Sequence, residues 1–172
     1  MKDSNLDLAL KAGIGVLLVA LAFVIASSMR DRVTDVGDAA PSFSITTDQG
    51  NRITPTSFGG RLLVLNFWAT WCAPCVEEEP SLSEFQKRTA SSGVVVVGVS
   101  IDKNPKLYQQ FLQRFRPAFQ TERDPDAGIA DSYGTYKVPE TYIIDRSGKV
   151  VEKVVSSRDW LDPDFIRSLQ TL

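Results

Sequence analysis

The sequence predicts an α/β fold, a mixed central sheet flanked by helices, preceded by one N-terminal transmembrane helix. Two apolar runs, 62–68 and 94–101, are each followed by a segment with apolar residues at helical spacing. Strand, helix, strand, helix is the order typical of α/β proteins. The stretch 12–29 has no charged residue, and its 18 residues are at the short end of the length that crosses a bilayer.

Length, charge and cysteine content limit the possible functions. The chain has 172 residues, enough for one domain and an appendage. Its net charge of −2, with both signs mixed along the chain, gives no basic stripe, so we expect no nucleic-acid partner. Both cysteines lie within four residues of each other, so a hydrophobic core rather than a disulfide framework must stabilise the fold.

The sequence predicts that the chain consists of four consecutive regions. These are a short cytoplasmic segment at 1–11, a transmembrane anchor at 12–29, a linker at 30–40 and a folded domain at 41–172. A cleaved signal peptide is the alternative, because Ala26 and the two serines after it resemble a cleavage site. Asp3 and Asp7 depart from a purely basic signal-peptide start and favour a retained anchor. Positive charges are nearly balanced at the two ends, so orientation is not decided by charge.

The first half of the domain predicts a β-hairpin, a buried strand and a helix. Residues 41–47 alternate apolar and polar, 48–51 form a turn signal, and 52–54 return as the second arm. The run 62–68 is a buried strand, and the helix after it is expected to continue to about Thr89. The run 94–101 is apolar throughout, which predicts a parallel strand covered on both faces.

The second half predicts further helices and a strand pair. Pro105 follows Asn104 at the start of a helix that Pro117 stops, and a short helix lies around Ile129. Residues 142–145 and 150–155 are expected to pair as an antiparallel hairpin across a turn. Asp162 then caps a final helix that begins at Pro163.

Cys72 and Cys75 lie where the buried strand ends and a helix begins. Two intervening residues, Ala73 and Pro74, let the cysteines close a small disulfide ring, so the pair can alternate between dithiol and disulfide. Unpaired N–H groups and the helix dipole favour a thiolate at Cys72, which is expected to stand at the exposed helix tip and to act as the nucleophile. Cys75, one turn into the helix and less exposed, is expected to resolve the mixed disulfide. Pro74 is tolerated in the first helical turn because it has no N–H to donate.

A structural zinc site is the main alternative for these cysteines. Such a site takes four nitrogen or sulfur ligands, and this chain has no histidine and no third cysteine. We therefore expect redox chemistry without a metal or other cofactor. The acids Glu77, Glu78 and Glu79 complement the helix dipole and are interpreted as a solvated face, although as anions near Cys72 they would oppose thiolate formation.

Three motifs carry a resemblance to a known family: residues 65–75, which include both cysteines, then Glu79 with Pro80, then residues 138–145 with Gly148. They are similar to proteins of the thioredoxin-like fold. More narrowly, the domain resembles membrane-tethered extracytoplasmic thiol–disulfide oxidoreductases of the TlpA, ResA and CcmG kind, over about 41–172. The resemblance implies a cis peptide bond before Pro139, next to the disulfide, where backbone pairs with the substrate strand. Without it, Pro139 would be interpreted as an ordinary trans residue that starts a strand.

The chain departs from that family's pattern at two places. Thioredoxins carry a buried acid on the central strand, where this chain has Asn66, and some ResA-like proteins carry an acid between the cysteines, where it has Ala73. Proton transfer for Cys75 therefore needs another group, and Glu140, beside Pro139, is the candidate that the resemblance implies. A solvated surface acid is the alternative for Glu140.

Three aromatic residues of these motifs have separate expected roles. Trp71 precedes Cys72 and is expected to pack beside the disulfide and shield it. Phe67 and Trp68 lie on the buried strand and are expected to belong to the core.

The resemblance implies an extracytoplasmic reductant of protein disulfides, with apocytochrome c, in cytochrome c biogenesis, as the family's usual substrate. Such a protein must be re-reduced, in this family by a transmembrane electron donor of the DsbD or CcdA kind. This requirement motivates an N-terminus inside and a catalytic domain in the periplasm or its equivalent, because a dedicated reductant is needed in oxidising surroundings.

Two other functions use the same cysteines. A thiol oxidase or isomerase would differ in reduction potential, which the dipeptide between the cysteines does not settle. A Cu(I)-binding or delivery module would use the two thiolates as soft ligands. Copper-delivering proteins of this fold commonly add a histidine, and this chain has none.

Overall fold

The structure, a computed structural model, describes residues 2–28 and 33–172. The chain divides into two units, one that ends at Arg32 and a domain over Val33–Leu172. The junction predicted between the anchor and the linker lies at residues 29 and 30, outside the described residues.

The first unit consists of one long helix, α1 (Lys2–Ser28). It covers the segment predicted to cross a membrane as far as Ser28 and begins already at Lys2. The large apolar side chains between Ile14 and Ile25 are exposed. Within the part of the chain that the structure describes, no helix combines the length and hydrophobicity needed to cross a membrane.

The domain is built on a mixed five-stranded sheet with the strand order β5-β4-β3-β6-β7. The pairs β3–β4 and β4–β5 are parallel, whereas β6 pairs antiparallel with both β3 and β7. This is the mixed sheet that the sequence predicts. The strands are β3 (Leu62–Trp68), β4 (Val94–Ser100), β5 (Gln120–Arg123), β6 (Glu140–Asp145) and β7 (Val150–Val155).

Four helices belong to the domain, and their bounds agree with the predicted ones to within a few residues. Pro at the start of α3 and α5 follows an Asn or Asp whose side chain accepts a backbone N–H, as predicted for Asp162. The helices are α2 (Ala73–Thr89), α3 (Pro105–Phe115), α4 (Gly128–Ser132) and α5 (Pro163–Gln170).

The central strand β3 is buried along its whole length, because both faces of the sheet are covered. Successive side chains of a strand point to opposite faces. Leu63, Leu65 and Phe67 pack in one apolar cluster with Tyr133 and Tyr142. On the other face, Leu62 and Val64 pack in a second cluster with side chains of α2 and α5. The expectation that the run 94–101 forms a parallel strand is confirmed by β4, which pairs in parallel with β3.

Aromatic side chains fix α2, the helix that carries Cys75, on the sheet. The ring of Phe85 lies 5.6 Å from that of Trp160 and 6.0 Å from that of Phe165, centroid to centroid. Phe85 and Trp160 are completely buried. The position of the cysteine-bearing helix therefore depends on packing at its far end as well as at the disulfide.

The N-terminal segment of the domain is hydrogen-bonded to the rest of it. Thr34 donates its backbone N–H to the Tyr133 carbonyl at 3.0 Å, and Gly37 donates to the Val150 carbonyl at 2.9 Å. Part of the stretch expected to be a linker thus lies against the fold. The predicted hairpin is present as two short strands, β1 (Ile45–Thr46) and β2 (Arg52–Ile53).

The edge strand β5 is not predicted by the sequence pattern. Its sequence, Gln-Thr-Glu-Arg, has no large apolar residue, and only Thr121 is buried. Hydrophobic periodicity cannot identify such a strand, since its place depends on pairing with β4 rather than on a buried face of its own.

We predict that Phe85→Ala lowers the free energy of unfolding by about 3–5 kcal/mol, the usual cost of removing a buried aromatic ring. Phe85→Leu keeps an apolar side chain at the same place and should cost far less. Urea unfolding of the oxidised protein measures both. Equal losses for the two variants would contradict the packing role assigned to this ring.

Candidate active site

A disulfide joins Cys72 and Cys75 at the N-terminus of α2, as the motif predicts. Their Cα atoms lie 5.3 Å apart. Cys72 is the N-cap residue, and its Sγ accepts the backbone N–H of Cys75 at 3.2 Å. Pro74 lies in the first helical turn, where its missing N–H leaves no helical bond unmade. The sulfur of Cys72 therefore meets the N–H groups that a helix start leaves unpaired.

Both sulfur-bearing residues are buried, which corrects the expectation that Cys72 stands at an exposed helix tip. Cys72 is 6% exposed and Cys75 3%. Trp68, Tyr108 and Phe111 form an apolar cluster around them. These contacts confirm that Trp68 is a core residue.

Trp71, directly before Cys72, is exposed, with 66% of its surface accessible. It borders a groove of about 490 Å³ on the side of α3 and another of about 360 Å³ on the side of Val138. The residue next to Cys72 thus presents an exposed aromatic surface between two grooves.

The bond between Val138 and Pro139 is cis, as the resemblance implies. The carbonyl oxygen of Val138 lies 3.5 Å from the Sγ of Cys72. A carbonyl oxygen can accept the proton of a Cys72 thiol once the disulfide is reduced. The segment before β6 is thus in direct contact with the disulfide.

A cavity of about 10 Å³ lies behind Cys75, close to the volume that one water molecule needs. Cys75 and two carboxyl groups border it, together with apolar and amide side chains. The lining residues are Asn66, Trp68, Cys75, Glu78, Glu79, Leu82, Phe111 and Phe119.

Glu78 and Glu79 are each only 5% exposed, so their interpretation as a solvated face is wrong. Residues three and four positions apart share one face of a helix, and Cys75 and Leu82 lie on the same face as these acids. Only Glu77 of the three acids points to solvent. Two of the three acids are therefore buried, and residue type alone does not distinguish them from the exposed one.

Burial raises the pKa of Glu78 above its ordinary value, and the hydrogen bonds that it accepts oppose the rise. Its Oε1 accepts the amide N–H of Asn66 at 3.2 Å, and its Oε2 accepts the indole N–H of Trp160, also at 3.2 Å. Asn66 is buried, and its amide also donates to the hydroxyl of Thr141 at 2.9 Å. A titratable carboxyl group thus lies in hydrogen-bond contact with Asn66, which cannot itself titrate.

Burial also raises the pKa of Glu79, against a hydrogen bond from Ser83. The Ser83 hydroxyl donates to Oε1 of Glu79 at 2.6 Å and accepts the backbone N–H of Ala118 at 2.9 Å. Two carboxyl groups with raised pKa values therefore border the cavity of Cys75. The sequence could have indicated this position, because Glu78 and Glu79 follow Cys75 by three and four residues and so lie on the same helical face.

Glu140 is buried and forms an ion pair with Lys153, whose Nζ lies 3.1 Å from Oε1. The Lys153 ammonium also lies 5.0 Å from the ring centre of Tyr142 and donates to the Thr34 carbonyl at 3.0 Å. The alternative of a solvated surface acid is thus wrong for Glu140. Its role in proton transfer for Cys75 stays a prediction, while the carboxyl groups that share a cavity with Cys75 are those of Glu78 and Glu79.

Residues 36–153, more than half of the chain, match the AhpC/TSA family. The chain belongs to the AhpC/TSA family. Among curated proteins it is similar to the thiol–disulfide oxidoreductase ResA of Oceanobacillus iheyensis, with 33% identity over 81% of this chain and 76% of that relative. It is 30% identical to ResA of Bacillus subtilis, over 83% of this chain and 80% of that relative. The protein is thus a ResA-like thiol–disulfide oxidoreductase with a Cys72–Cys75 pair.

Solved structures support the fold. A thiol:disulfide interchange protein DsbE from Chlorobium tepidum has 30% identity and a TM-score of 0.68, covering 80% of this chain and 94% of its own. StoA from Bacillus subtilis has 21% identity and a TM-score of 0.64, covering 78% and 98%. The domain therefore has the thioredoxin-like fold, and both of these structures resemble it over most of their length.

We predict that Glu78→Gln flattens the pH dependence of stability. The pKa of Glu78 is raised above its ordinary value of 4.5, so the folded state holds this proton more tightly than the unfolded state. The corresponding stabilisation is complete below about pH 4.5 and is lost as the pH rises through the folded-state pKa. Glutamine cannot ionise, so the variant should lose less stability between about pH 4.5 and 8 than the parent protein does.

Urea unfolding of the oxidised protein at several pH values measures this slope. Glu77→Gln is the matched control, because it removes the same carboxyl group from an exposed position on the same helical turn. A slope for Glu78→Gln as steep as that of the control would contradict the raised pKa. Glutamine can accept only one of the two hydrogen bonds now made to Glu78, so the variant should be less stable at every pH. This loss does not affect the slope with pH that the test compares.

Proposed function

We propose that this protein is a membrane-anchored reductant of protein disulfides that acts outside the cytoplasm. The observation that carries the proposal is the Cys72–Cys75 disulfide at the start of α2, in contact with the carbonyl of Val138. The similarity to proteins named ResA supports the reaction class. The reducing direction of the reaction, the protein substrate and the location outside the cytoplasm are the parts that we propose.

The reaction begins from the reduced pair. The Cys72 thiolate attacks one sulfur of the substrate disulfide, a bond forms between these two sulfurs, and the other substrate sulfur leaves as a thiolate. The helix N-terminus stabilises the negative charge on Cys72, because its N–H groups and dipole face this sulfur. The product of this step is a mixed disulfide between Cys72 and the substrate.

Cys75 completes the transfer. Its thiolate attacks the Cys72 sulfur, the ring disulfide forms again, and the substrate leaves with both of its sulfurs reduced. Cys75 must lose its proton before it attacks. A carboxylate on the cavity that Cys75 shares with Glu78 and Glu79 can take that proton. The net change is two electrons from the protein to the substrate.

Burial of the two sulfurs supports the reducing direction. A thiolate in an apolar, poorly hydrated site is less stable than one in water, and destabilising the reduced form lowers the reduction potential. Cys72 and Cys75 are surrounded by aromatic side chains on one side and by two protonatable carboxyl groups on the other. The helix dipole acts in the opposite sense, so the measured potential decides the balance.

The proposed anchor is the stretch 12–29, with the N-terminus inside and the catalytic domain outside. Its support is the uncharged sequence and the exposure of the large apolar side chains from Ile14 to Ile25 on α1. A dedicated reductant is needed where the surroundings are oxidising. The proposed electron source is a transmembrane donor of the DsbD or CcdA kind, and the proposed substrate is apocytochrome c with an oxidised cysteine pair.

The reduction potential tests the direction. We expect the full-length protein, equilibrated with dithiol buffers, to show a potential near that of thioredoxin, about −270 mV. A value near that of DsbA, about −120 mV, would identify a thiol oxidase instead. Absence of a reversible couple, with copper retained by the reduced protein, would favour a Cu(I)-binding module.

A trapping experiment tests the roles of the two cysteines and the substrate. We expect Cys75→Ser to accumulate a mixed disulfide with a disulfide-bonded peptide that carries the apocytochrome motif Cys-X-X-Cys-His, because no second thiol resolves it. Cys72→Ser, the matched control, should trap nothing. Mass spectrometry of the non-reduced adducts identifies the attacking sulfur, and adducts on Cys72→Ser alone would reverse the assignment.

Alkaline carbonate extraction of membranes tests the anchor. The expected result is that the full-length protein stays in the membrane pellet, while a variant without residues 12–29 is released. N-terminal sequencing of the purified protein distinguishes a retained anchor from a cleaved signal peptide. A mature protein that begins just after the serines at 27 and 28 would contradict retention.

A further inference from the structure

A buried aspartate lies behind the active-site loop and has no place in the reaction above. Asp102 follows β4 and is only 1% exposed. Its Oδ1 accepts the hydroxyl of Thr70 at 2.6 Å, and its Oδ2 accepts the backbone N–H of Thr70 at 2.9 Å and the hydroxyl of Ser100 at 2.7 Å. Three hydrogen bonds thus converge on one carboxylate.

The hydrogen-bond donors explain why an acid occupies this position. A buried carboxylate is costly unless its oxygens are hydrogen-bonded, and here both oxygens are. An aspartate accepts at both of its oxygens, whereas an asparagine would offer one acceptor and one N–H₂ group, which a hydroxyl could accept only after it gives up its own donated bond. The arrangement of donors therefore favours an acid over an amide of nearly the same shape.

The carboxylate connects two parts of the fold. Thr70 belongs to the loop between β3 and α2, two residues before Cys72, whereas Asp102 is attached to the end of β4. The backbone of Asp102 is itself fixed, because its N–H donates to the Ser100 hydroxyl at 3.1 Å and its carbonyl accepts from Arg123 at 3.2 Å. The loop before Cys72 is thus held from the neighbouring strand by a rigid group.

Two backbone hydrogen bonds hold the same loop at other residues. The Trp68 carbonyl accepts the N–H of Ile101 at 3.0 Å, and the Ala69 carbonyl accepts the N–H of Cys72 at 3.2 Å. The bonds to Asp102 occupy both the N–H and the hydroxyl of Thr70. Asp102 also borders the groove beside the exposed Trp71.

We propose that Asp102 is a positioning residue for disulfide exchange: through Thr70 it fixes the loop that presents Trp71 and Cys72 to the substrate. Exchange between sulfurs requires the attacking sulfur to approach along a narrow direction, and a misplacement of about 1 Å can cost about 100-fold in rate. Asp102 touches neither sulfur and acts through Thr70. The inference rests on the proposed function only in that Cys72 is the attacking sulfur.

The test uses the full-length reduced protein and two substitutions on opposite sides of one contact. Thr70→Val removes the hydroxyl donor, and Asp102→Asn removes one acceptor. We expect the second-order rate constant for reduction of a disulfide-bonded peptide to fall at least about 10-fold in each variant. The pH profile of Cys72 alkylation should shift in both, because the sulfur has moved relative to the N–H groups of α2. Thr70→Ser restores the hydroxyl and should restore both readouts.

Thr47→Val is the control for lost stability. Thr47 is buried just after β1, and its hydroxyl donates to the side-chain oxygen of Gln120, on the edge strand β5, at 2.9 Å. This variant also loses one buried threonine hydroxyl, and we expect it to keep the parent rate constant and alkylation profile at a comparable loss of melting temperature.

Two results would overturn the inference. In one, Thr70→Val matches Thr47→Val in rate and alkylation profile; in the other, Thr70→Ser fails to restore them. If Asp102→Asn does not fold, the two Thr70 variants still decide the question. A parent protein in which Cys72 does not react at all would instead refute the proposed function, and its failure is thereby distinguished from that of the positioning role.

Discussion

The complete burial of β3 is the constraint on which the rest of this structure depends. The strand is paired on both edges and covered on both faces, so its C-terminal end has a fixed position in the middle of the domain. The chain that leaves this end must turn at once into α2, and the turn carries Cys72. A catalytic sulfur placed on a surface loop would lack this support. Here Cys72 follows the last residue of the rigid strand by only four positions, so the sheet restricts the position of its sulfur.

The environment of the two sulfurs combines opposing influences on negative charge. The N-terminus of α2 favours a thiolate at Cys72, whereas the apolar surroundings disfavour one at either sulfur. Glu78 and Glu79 enter this balance with raised pKa values, because burial outweighs the hydrogen bonds that each accepts. A carboxyl group with a raised pKa is a stronger base when ionised than an ordinary glutamate, so it is better suited to accept the proton that the resolving sulfur loses.

Strong apolar patterns made β3, β4, α2 and α3 predictable, and the cysteine pair followed from its place between a buried strand and a helix start. The edge strand β5 was missed because none of its residues is large and apolar. Glu78 and Glu79 were misassigned because an acidic run looks solvated until the buried face of the helix is known. Asp102, at the carboxyl end of a buried parallel strand, occupies a place where functional side chains of α/β proteins gather. Its donors come from the loop after a different strand, which local sequence does not indicate. The membrane anchor stays a prediction.

The deep position of the disulfide affects which molecules react with it through the rate of reaction rather than through binding affinity. With Cys72 only 6% exposed, few encounters with passing thiols or disulfides bring two sulfurs into contact. A reductant that works among oxidising molecules would be discharged by random collisions if its cysteines lay open. In the proposed role, burial would slow such collisions, so that electrons would leave the pair mainly when a partner fits the grooves beside Trp71. The reducing power of the dithiol would then reach chosen partners, although oxidising surroundings could thermodynamically consume it at any moment.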